Sequence, residues 1–266
     1  MNPSAEAVEA KDQLVGVWTR MVEDRGGRVS VDDGVCHLWA DSAFPFWNTL
    51  TLTGESISAG DLGDQLARTA TFMRGRSRPG LLWLFEDLLD PAAKAAFPRL
   101  MSDAGLEISF TGWGMAGDVE VPDPSSSSPE LEFRRVETED ELLTYGEINA
   151  RAYGMAEDAG PAALSGSKAW LRDTYAYIAY DRGRPVACAA TVENDDALFL
   201  ALVATMPADM RRGFGEAVTR KAIHEGIRRT GQQHVVLHAT PAGRPVYERI
   251  GYRTNSAVHF IQLASQ

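Results

Sequence analysis

The stretch Leu202–Ala217, L-V-A-T-M-P-A-D-M-R-R-G-F-G-E-A, constrains the fold more than any other part of the chain. The apolar run Ala197–Ala204 predicts a buried strand. It breaks at Thr205-Met206-Pro207, where proline withholds the N–H that would continue a ladder. Two arginines and a Gly-x-Gly come next, and then a long helical pattern. Glycine lets the backbone turn its N–H groups toward a ligand with no Cβ in the way. A helix that opens there adds unsatisfied N–H donors and the positive end of its dipole. With Arg211 and Arg212 beside it, this is an anion site, best suited to a diphosphate.

The pattern downstream continues as alternating helix and strand. The helix that opens in the motif is expected over 214–229, with Phe214, Val218 and Ala222 on one stripe and Ile223 and Ile227 on another. Val235–Ala239 follows as a strand, parallel to Ala197–Ala204 because a helix joins the two. Thr240-Pro241 reads as the cap of a last helix, and Arg253–Leu263 as the closing strand. Upstream, Thr138 and Glu141 fit a capping box for a helix to about Ala152. A short helix is expected near Pro161–Leu171, and strands at Leu131–Val136, Tyr175–Tyr180 and Pro185–Val192.

The strand, V-A-T-x-P, then R-R-G-x-G opening a helix resembles the acyl-CoA pyrophosphate loop of the GNAT superfamily of N-acetyltransferases. A second match, P-V-Y-E-R-I-G-Y over Pro245–Tyr252, resembles the family's helix carrying Y-x-x-x-G-F/Y before the last strands. The resemblance is clear over about 131–266 and faint before that. It implies acetyl-CoA as co-substrate, cradled by Met210, Arg211, Arg212, Gly213, Phe214, Gly215, Glu216 and Ala217. It implies that Val203, Ala204 and Thr205 line the pantetheine arm, with backbone groups of Val203 and Thr205 holding it, and that Pro207 marks the bulge where the strand splays. Tyr247 matches the tyrosine that protonates the leaving thiolate. Met210 stands where the family usually has Gln or Arg, and Thr240 where it has the helix-start Asn that meets the cofactor.

The general base is less legible. His238 ends the parallel strand and is the nearest candidate, against the ordinary reading of a satisfied strand-end histidine. Glu193 falls roughly 15–20 Å from the slot at ~3.3 Å per residue. Tyr153, Glu157 and Asp158 lie in the loop that frames the acceptor in such folds. A dinucleotide fold is excluded: the third glycine of Gly-x-Gly-x-x-Gly is Val218, and a long loop separates strand from glycines. Five histidines without ligand spacing argue against a metal hydrolase.

The first half repeats the outline. Strands are expected at Arg28–Val31, Val35–Ala40, Phe46–Thr53, Leu81–Phe85 and Glu107–Trp113. Helices are expected from an N-cap at Ser4 to about Asp24, over Gly60–Arg74, and from Asp90-Pro91 to Gly105. It lacks the R-R-G-x-G, and acids in G-E-S-I-S-A-G-D-L-G-D would repel a diphosphate. The expected architecture is therefore α/β with two GNAT-like units: a degenerate one at 1–117, a Pro/Ser-rich linker at 118–130, and an acetyltransferase domain at 131–266. Trp18, Trp39, Trp47, Trp83 and Trp113 fall in the first unit, as core or as an aromatic substrate pocket.

The net charge of −11 is uneven, with −10 in residues 1–130 and −1 in 131–266. That is a solvated acidic surface or a field for cationic amines, and it argues against nucleic acid as a partner. Cys36 and Cys188 sit in apolar runs and read as buried free thiols. No apolar run reaches membrane-span length and the N-terminus lacks signal-peptide character, so a cytoplasmic protein is expected. The expected activity is acetyl transfer to an amine, with a small-molecule acceptor and a possible homodimer. A catalytically silent CoA-binding regulatory or scaffolding protein is the alternative.

Overall fold

A computed structural model describes residues 3–128 and 130–265 and shows an α/β fold of mixed sheet and flanking helices. The chain divides into two compact units. The first holds the chain up to Met115 with His238–Arg244 and the stretch from Thr254 on, and the second holds Ala116–Leu237 and Pro245–Arg253.

The first unit opens with α1 (Pro3–Asp24), β1 (Arg28–Asp32), β2 (Val35–Trp39) and β3 (Asn48–Leu52). It continues with α2 (Ala59–Arg74), β4 (Leu81–Phe85), α3 (Pro91–Asp103) and β5 (Leu106–Asp118). Ser4, the expected N-cap, already lies inside α1. β1 and β2 form a hairpin whose turn residues Asp33 and Gly34 both have positive φ, the twist that suits two antiparallel strands. β3 starts later than expected because Pro45–Trp47 coils into a 3-10 turn, with the Trp47 N–H donating to the Phe44 carbonyl. β3 and β4 are parallel, joined through α2.

The tryptophans form a core. Trp18, Trp39, Trp47 and Trp83 are all buried, and the Trp18 ring centroid lies 5.4 Å from that of Trp47 and 5.9 Å from that of Trp83. Trp113 is half-buried under the Arg244 guanidinium, 4.7 Å away.

The second half runs β6 (Leu131–Arg135), α4 (Glu139–Ala152), α5 (Ala159–Leu164), α6 (Lys168–Asp173), β7 (Thr174–Asp181) and β8 (Arg184–Asn194). It ends with β9 (Ala197–Thr205), α7 (Phe214–Thr230), β10 (His234–Ala239), α8 (Arg244–Ile250) and β11 (Arg253–Leu263). Its sheet has the order β10-β9-β8-β7-β6. The capping box at Thr138 and Glu141 is present. The single short helix expected near Pro161 is two, split where Gly166 takes φ 72° and Ser167 caps α6.

Two departures from the sequence reading concern boundaries. β11 pairs antiparallel with β4, Val258 to Ile261 against Phe85 to Leu82, so the last strand belongs to the first unit. Compact units therefore cross the expected limits at 117 and 131, since a strand joins the core it can pair with. The segment 118–130 is also no free tether. Val121 is buried, its carbonyl lies 2.9 Å from Nδ1 of His224, and Asp123 pairs with Lys221 at 3.0 Å, which pins the segment to α7. Its Pro129 lies outside the described residues. Cys36 and Cys188 are buried free thiols. Among the described residues no helix is long and apolar enough to cross a membrane.

Trp47 is 1% exposed among Trp18 and Phe44. We expect Trp47→Ala to lower stability by about 3–5 kcal/mol in urea unfolding, because the vacated volume refills only partly.

Candidate functional site

β9 pairs with β8 on one side and β10 on the other. The parallel register with β10 runs from Leu198↔Val235 to Leu200↔Leu237 and stops, while β9 continues to Thr205. Against β8, Ala201 faces Ala190 and Ala204 faces Cys188, so β9 carries one extra residue there. This is a β-bulge at Leu202–Val203. Leu202 takes φ 46°, a left-handed value that costs a leucine energy. The bulge is thus not at Pro207, which instead opens a 3-10 turn, Pro207–Asp209, after the strand.

Beyond the bulge the Met206 N–H donates to the Val186 carbonyl at 2.8 Å. The two-residue alternation of an antiparallel ladder then places Ala204 on the β8 side as well. It turns the N–H and C=O of Val203 and Thr205 the opposite way, where pairing with β10 has already ended.

One face of α4 holds the bulge in place. The Tyr145 hydroxyl donates to the Leu202 carbonyl at 2.9 Å, and the Tyr153 hydroxyl donates to the Val203 carbonyl at 3.1 Å. Between them Asn149 donates to the Cys188 sulfur at 3.2 Å and to the Tyr145 carbonyl at 3.1 Å. The spacing of four residues stacks all three side chains on one face. Burial, and then the neighbouring Cys188, raises both phenols, Tyr153 to about 12, so they remain donors at neutral pH. Burial also pushes the Cys188 thiol far up, which removes it as a nucleophile. The sequence reading missed Tyr145. The signal was available in Y-x-x-x-N-x-x-x-Y, three polar tips on a helix face that is otherwise buried.

The loop that follows is where the sequence places an anion cradle. Gly213 sits at φ 85° as the N-cap of α7 and offers no side-chain cap. The first intrahelical bond there runs from the Ala217 N–H to the Gly213 carbonyl at 3.0 Å, so the N–H groups of Phe214, Gly215 and Glu216 have no acceptor within the helix. A Cβ on Gly215 would stand 2.5 Å from the Thr205 hydroxyl, so glycine lets this helix end approach the end of β9.

The two arginines differ. Arg212 is a strut: it bonds Asp209 at 2.8 Å and Asp181 at 3.0 Å, and its guanidinium lies 4.3 Å over the Phe214 ring. Asp209 is 1% exposed and also takes a two-pronged contact from Arg184, at 2.6 and 2.9 Å. Arg184 foremost, with Arg212, holds this carboxyl below the usual range against the upward push of burial. Asp209 is the second residue missed from sequence, where it reads as one more loop acid. Arg211 is exposed and makes no hydrogen bond or ion pair among the described residues. Met210 is 49% exposed beside it. The Glu216 carboxylate is gripped by Arg220 and Arg249, each at 2.9 Å, so it is tied up as a structural acid.

Tyr247 lies in α8, 7% exposed, and its hydroxyl has no hydrogen-bond partner among the described residues. Burial raises the phenol far above its usual range, and the Tyr153 phenol adds to the shift.

His238 does not fit a base. Its Nε2 lies 3.0 Å from the Ala10 carbonyl, which can only accept, so that nitrogen carries the proton. Its ring packs 5.3 Å from that of Trp83 and 5.4 Å from that of Phe85, and burial lowers its pKa to about 3. A group that binds protons only near pH 3 is too weak to deprotonate an ammonium. Thr240 is a turn residue: its hydroxyl accepts from the Gly243 N–H at 3.2 Å, and α8 begins four residues on, at Arg244. His238 and Thr240 both group with the first unit. Glu157 is exposed, with Arg151 at 3.7 Å. Asp123, His224 and Glu225 cluster at metal-ligand spacing, but Lys221, Arg228 and the Val121 carbonyl already engage them.

Tyr145→Phe is expected to cost about 1–2 kcal/mol in chemical denaturation, because it leaves the buried Leu202 carbonyl with only the weak Cys188 thiol donor at 3.9 Å. Asp209→Ala is expected to cost about 2–4 kcal/mol by the same measurement, since two guanidinium groups lose their shared carboxylate. For His238 the folded pKa lies below the unfolded value near 6.5, so the unfolded chain binds the extra proton and stability is lost as pH falls from about 6.5 toward 3. Between pH 7 and pH 4, wild type is therefore expected to lose about 1–3 kcal/mol more than His238→Gln in urea unfolding.

Comparison with known proteins agrees with this geometry. Residues 151–260 match the family described as the acetyltransferase (GNAT) domain. A GCN5-related N-acetyltransferase from Kribbella flavida is 22% identical and superposes with a TM-score of 0.69 over 98% of this chain and 96% of its own. A GCN5-related N-acetyltransferase-like protein from Streptococcus suis is 15% identical, with a TM-score of 0.57 over 97% and 98%. One from Sphaerobacter thermophilus is also 15% identical, at 0.55 over 87% and 78%. At these identities the structures establish a shared fold. No curated protein matches the chain. The family match spans the bulge, the loop and Tyr247, so residues 151–260 of this chain are similar to the GNAT acetyltransferase domain.

Proposed function

We propose that the chain moves an acetyl group from acetyl-CoA to a primary amine by direct attack in a ternary complex. The observation that carries this reading is continuity. The outward-turned backbone of Val203 and Thr205 leads, within one short loop, to the uncapped start of α7 and the uncommitted Arg211. A pantetheine arm would lie along the first as an added strand edge does. The diphosphate would take the helix N–H groups and Arg211.

The chemistry needs few side chains. The neutral amine attacks the thioester carbonyl carbon, a C–N bond forms, and the C–S bond breaks. The departing thiolate takes the Tyr247 proton, the amine releases its surplus proton to water, and the Tyr247 phenolate recovers a proton from water. A phenol kept neutral by burial suits that donor role. The acidic excess of residues 1–130 favours a cationic acceptor.

The first half fits a degenerate GNAT-like partner. Its order β1-β2-β3-α2-β4-α3 parallels β7-β8-β9-α7-β10-α8. The start of α2, however, is capped by Ser58, which accepts from the Asp61 N–H at 3.2 Å, and an acid occupies its first turn. That end would not take a phosphate.

Calorimetry should show micromolar binding of acetyl-CoA, weakened about tenfold or more by Arg211→Glu. Tyr247→Phe should cut kcat by about 10²-fold or more while leaving acetyl-CoA affinity within about twofold. Undiminished turnover in Tyr247→Phe would remove its assigned role. Binding without turnover on any amine would favour a CoA-binding regulatory or scaffolding protein.

A further inference from the structure

β1 ends the sheet of the first unit. Among the described residues it pairs with β2 alone, from Arg28↔Trp39 to Asp32↔Val35. Such an edge is a template for another strand unless proline, a bulge or repelling charge blunts it. β1 has neither proline nor bulge, and its charges are opposite in sign. It reads R-V-S-V-D, so reversing the strand about Ser30 exchanges arginine for aspartate and valine for valine. Val31 is 63% exposed, an apolar side chain at the edge with little to cover it.

The hairpin decides which backbone groups face outward. Its two-residue loop, Asp33-Gly34, closes on Asp32 and Val35 as a hydrogen-bonded pair. Alternation then bonds Ser30 to His37 and Arg28 to Trp39, and turns the N–H and C=O of Val29 and Val31 toward the open edge. The side chains alternate across the sheet. Arg28, Ser30 and Asp32 share one face, where Arg28 Nε donates to the Ser30 hydroxyl at 3.1 Å and Nη2 to the Asp32 carboxylate at 3.0 Å. Val29 and Val31 share the other face.

We propose that β1 is a self-complementary docking edge, through which two copies of the chain pair antiparallel about a two-fold axis at Ser30. In this register Val29 of each copy faces Val31 of the other. Both residues have outward backbone groups, so each such pair exchanges both of its N–H···O bonds and Val31 gains an apolar neighbour. Arg28 of each copy faces Asp32 of the other. A shift by one residue sets outward groups against inward ones and forfeits the bonds, and a shift by two takes Arg28 out of register with Asp32. The ion pair that Arg28 and Asp32 make within one chain is exposed on both sides, so exchanging it across the axis costs little. A five-residue edge is a small interface, and the dimer is accordingly weak and reversible. The inference is independent of the acyl-CoA reading.

Sedimentation equilibrium of the full chain from about 1 μM to 1 mM tests it. Wild type should pass from monomer to dimer with a Kd on the order of 10–100 μM. Asp32→Arg sets like charges opposite each other twice and should weaken the dimer tenfold or more. Arg28→Asp/Asp32→Arg restores opposite charges and should return the Kd to within about threefold of wild type. Because the double variant carries the same Asp32→Arg change, its recovery excludes a folding defect as the cause. Under oxidised glutathione, Ser30→Cys should give a covalent dimer, since the two copies of residue 30 face each other. Val29→Cys should not, because its two copies lie ~8 Å apart between Cα atoms. The native cysteines are both buried. A monomer at 1 mM, a dimer indifferent to Asp32→Arg, a double variant without recovery, or no crosslink through Ser30→Cys overturns the proposal. Growth beyond the dimer also overturns it, since a two-fold pairing closes on itself.

Discussion

One extra residue in β9 is the constraint on which the second unit's site depends. Between Ala201 and Ala204 the strand takes one residue more than β8 needs, and the surplus lifts Leu202 into a left-handed backbone. A sheet interior normally satisfies every N–H and C=O through its ladder. The bulge suspends that rule for a few residues and turns Val203 and Thr205 outward. Such a conformation persists only where the surroundings hold it. Here the holding group is a single helix face, with Tyr145 and Asn149 buried behind the bulge and Tyr153 at its rim.

The loop after β9 is held in a similar way. In the proposed reading this loop takes a phosphate, and it must then be rigid before the anion arrives, or ordering it would offset the attraction. Asp209 provides that rigidity as a buried carboxylate between Arg184 and Arg212, which ties the loop to the β7–β8 hairpin. The cost is that one of two adjacent arginines is spent on structure. The division of labour between Arg211 and Arg212 follows from which guanidinium the acids have already claimed.

Much of this was legible in the sequence, and the failures share a cause. Strand and helix order, the capping box at Thr138, the parallel crossover from β9 to β10 and the glycines at α7 all rest on local signals: periodicity, caps and turn chemistry. The bulge was expected at Pro207, the one residue there with an obvious backbone signature. It lies at Leu202–Val203, because a bulge is decided by register against β8, which no local pattern reveals. His238 was a candidate base from its place at the end of a strand. Its partners Ala10, Trp83 and Phe85 are far off in sequence and make it a neutral core residue. β11 joins the first unit for the same reason, through pairing with a strand that precedes it by most of the chain. Asp209 and Tyr145 carry no motif. Only long-range contacts separate them from an ordinary loop acid and an ordinary core aromatic.

The central claim is that β9 beyond its bulge and the first turn of α7 together form one acyl-CoA surface. Amide hydrogen exchange with and without acetyl-CoA tests it residue by residue. The account predicts slowed exchange at the amides of Val203, Thr205, Phe214, Gly215 and Glu216, with little change along α2, whose start is already capped. Binding of acetyl-CoA with no protection at these five amides, or with protection concentrated in the first unit, would contradict it.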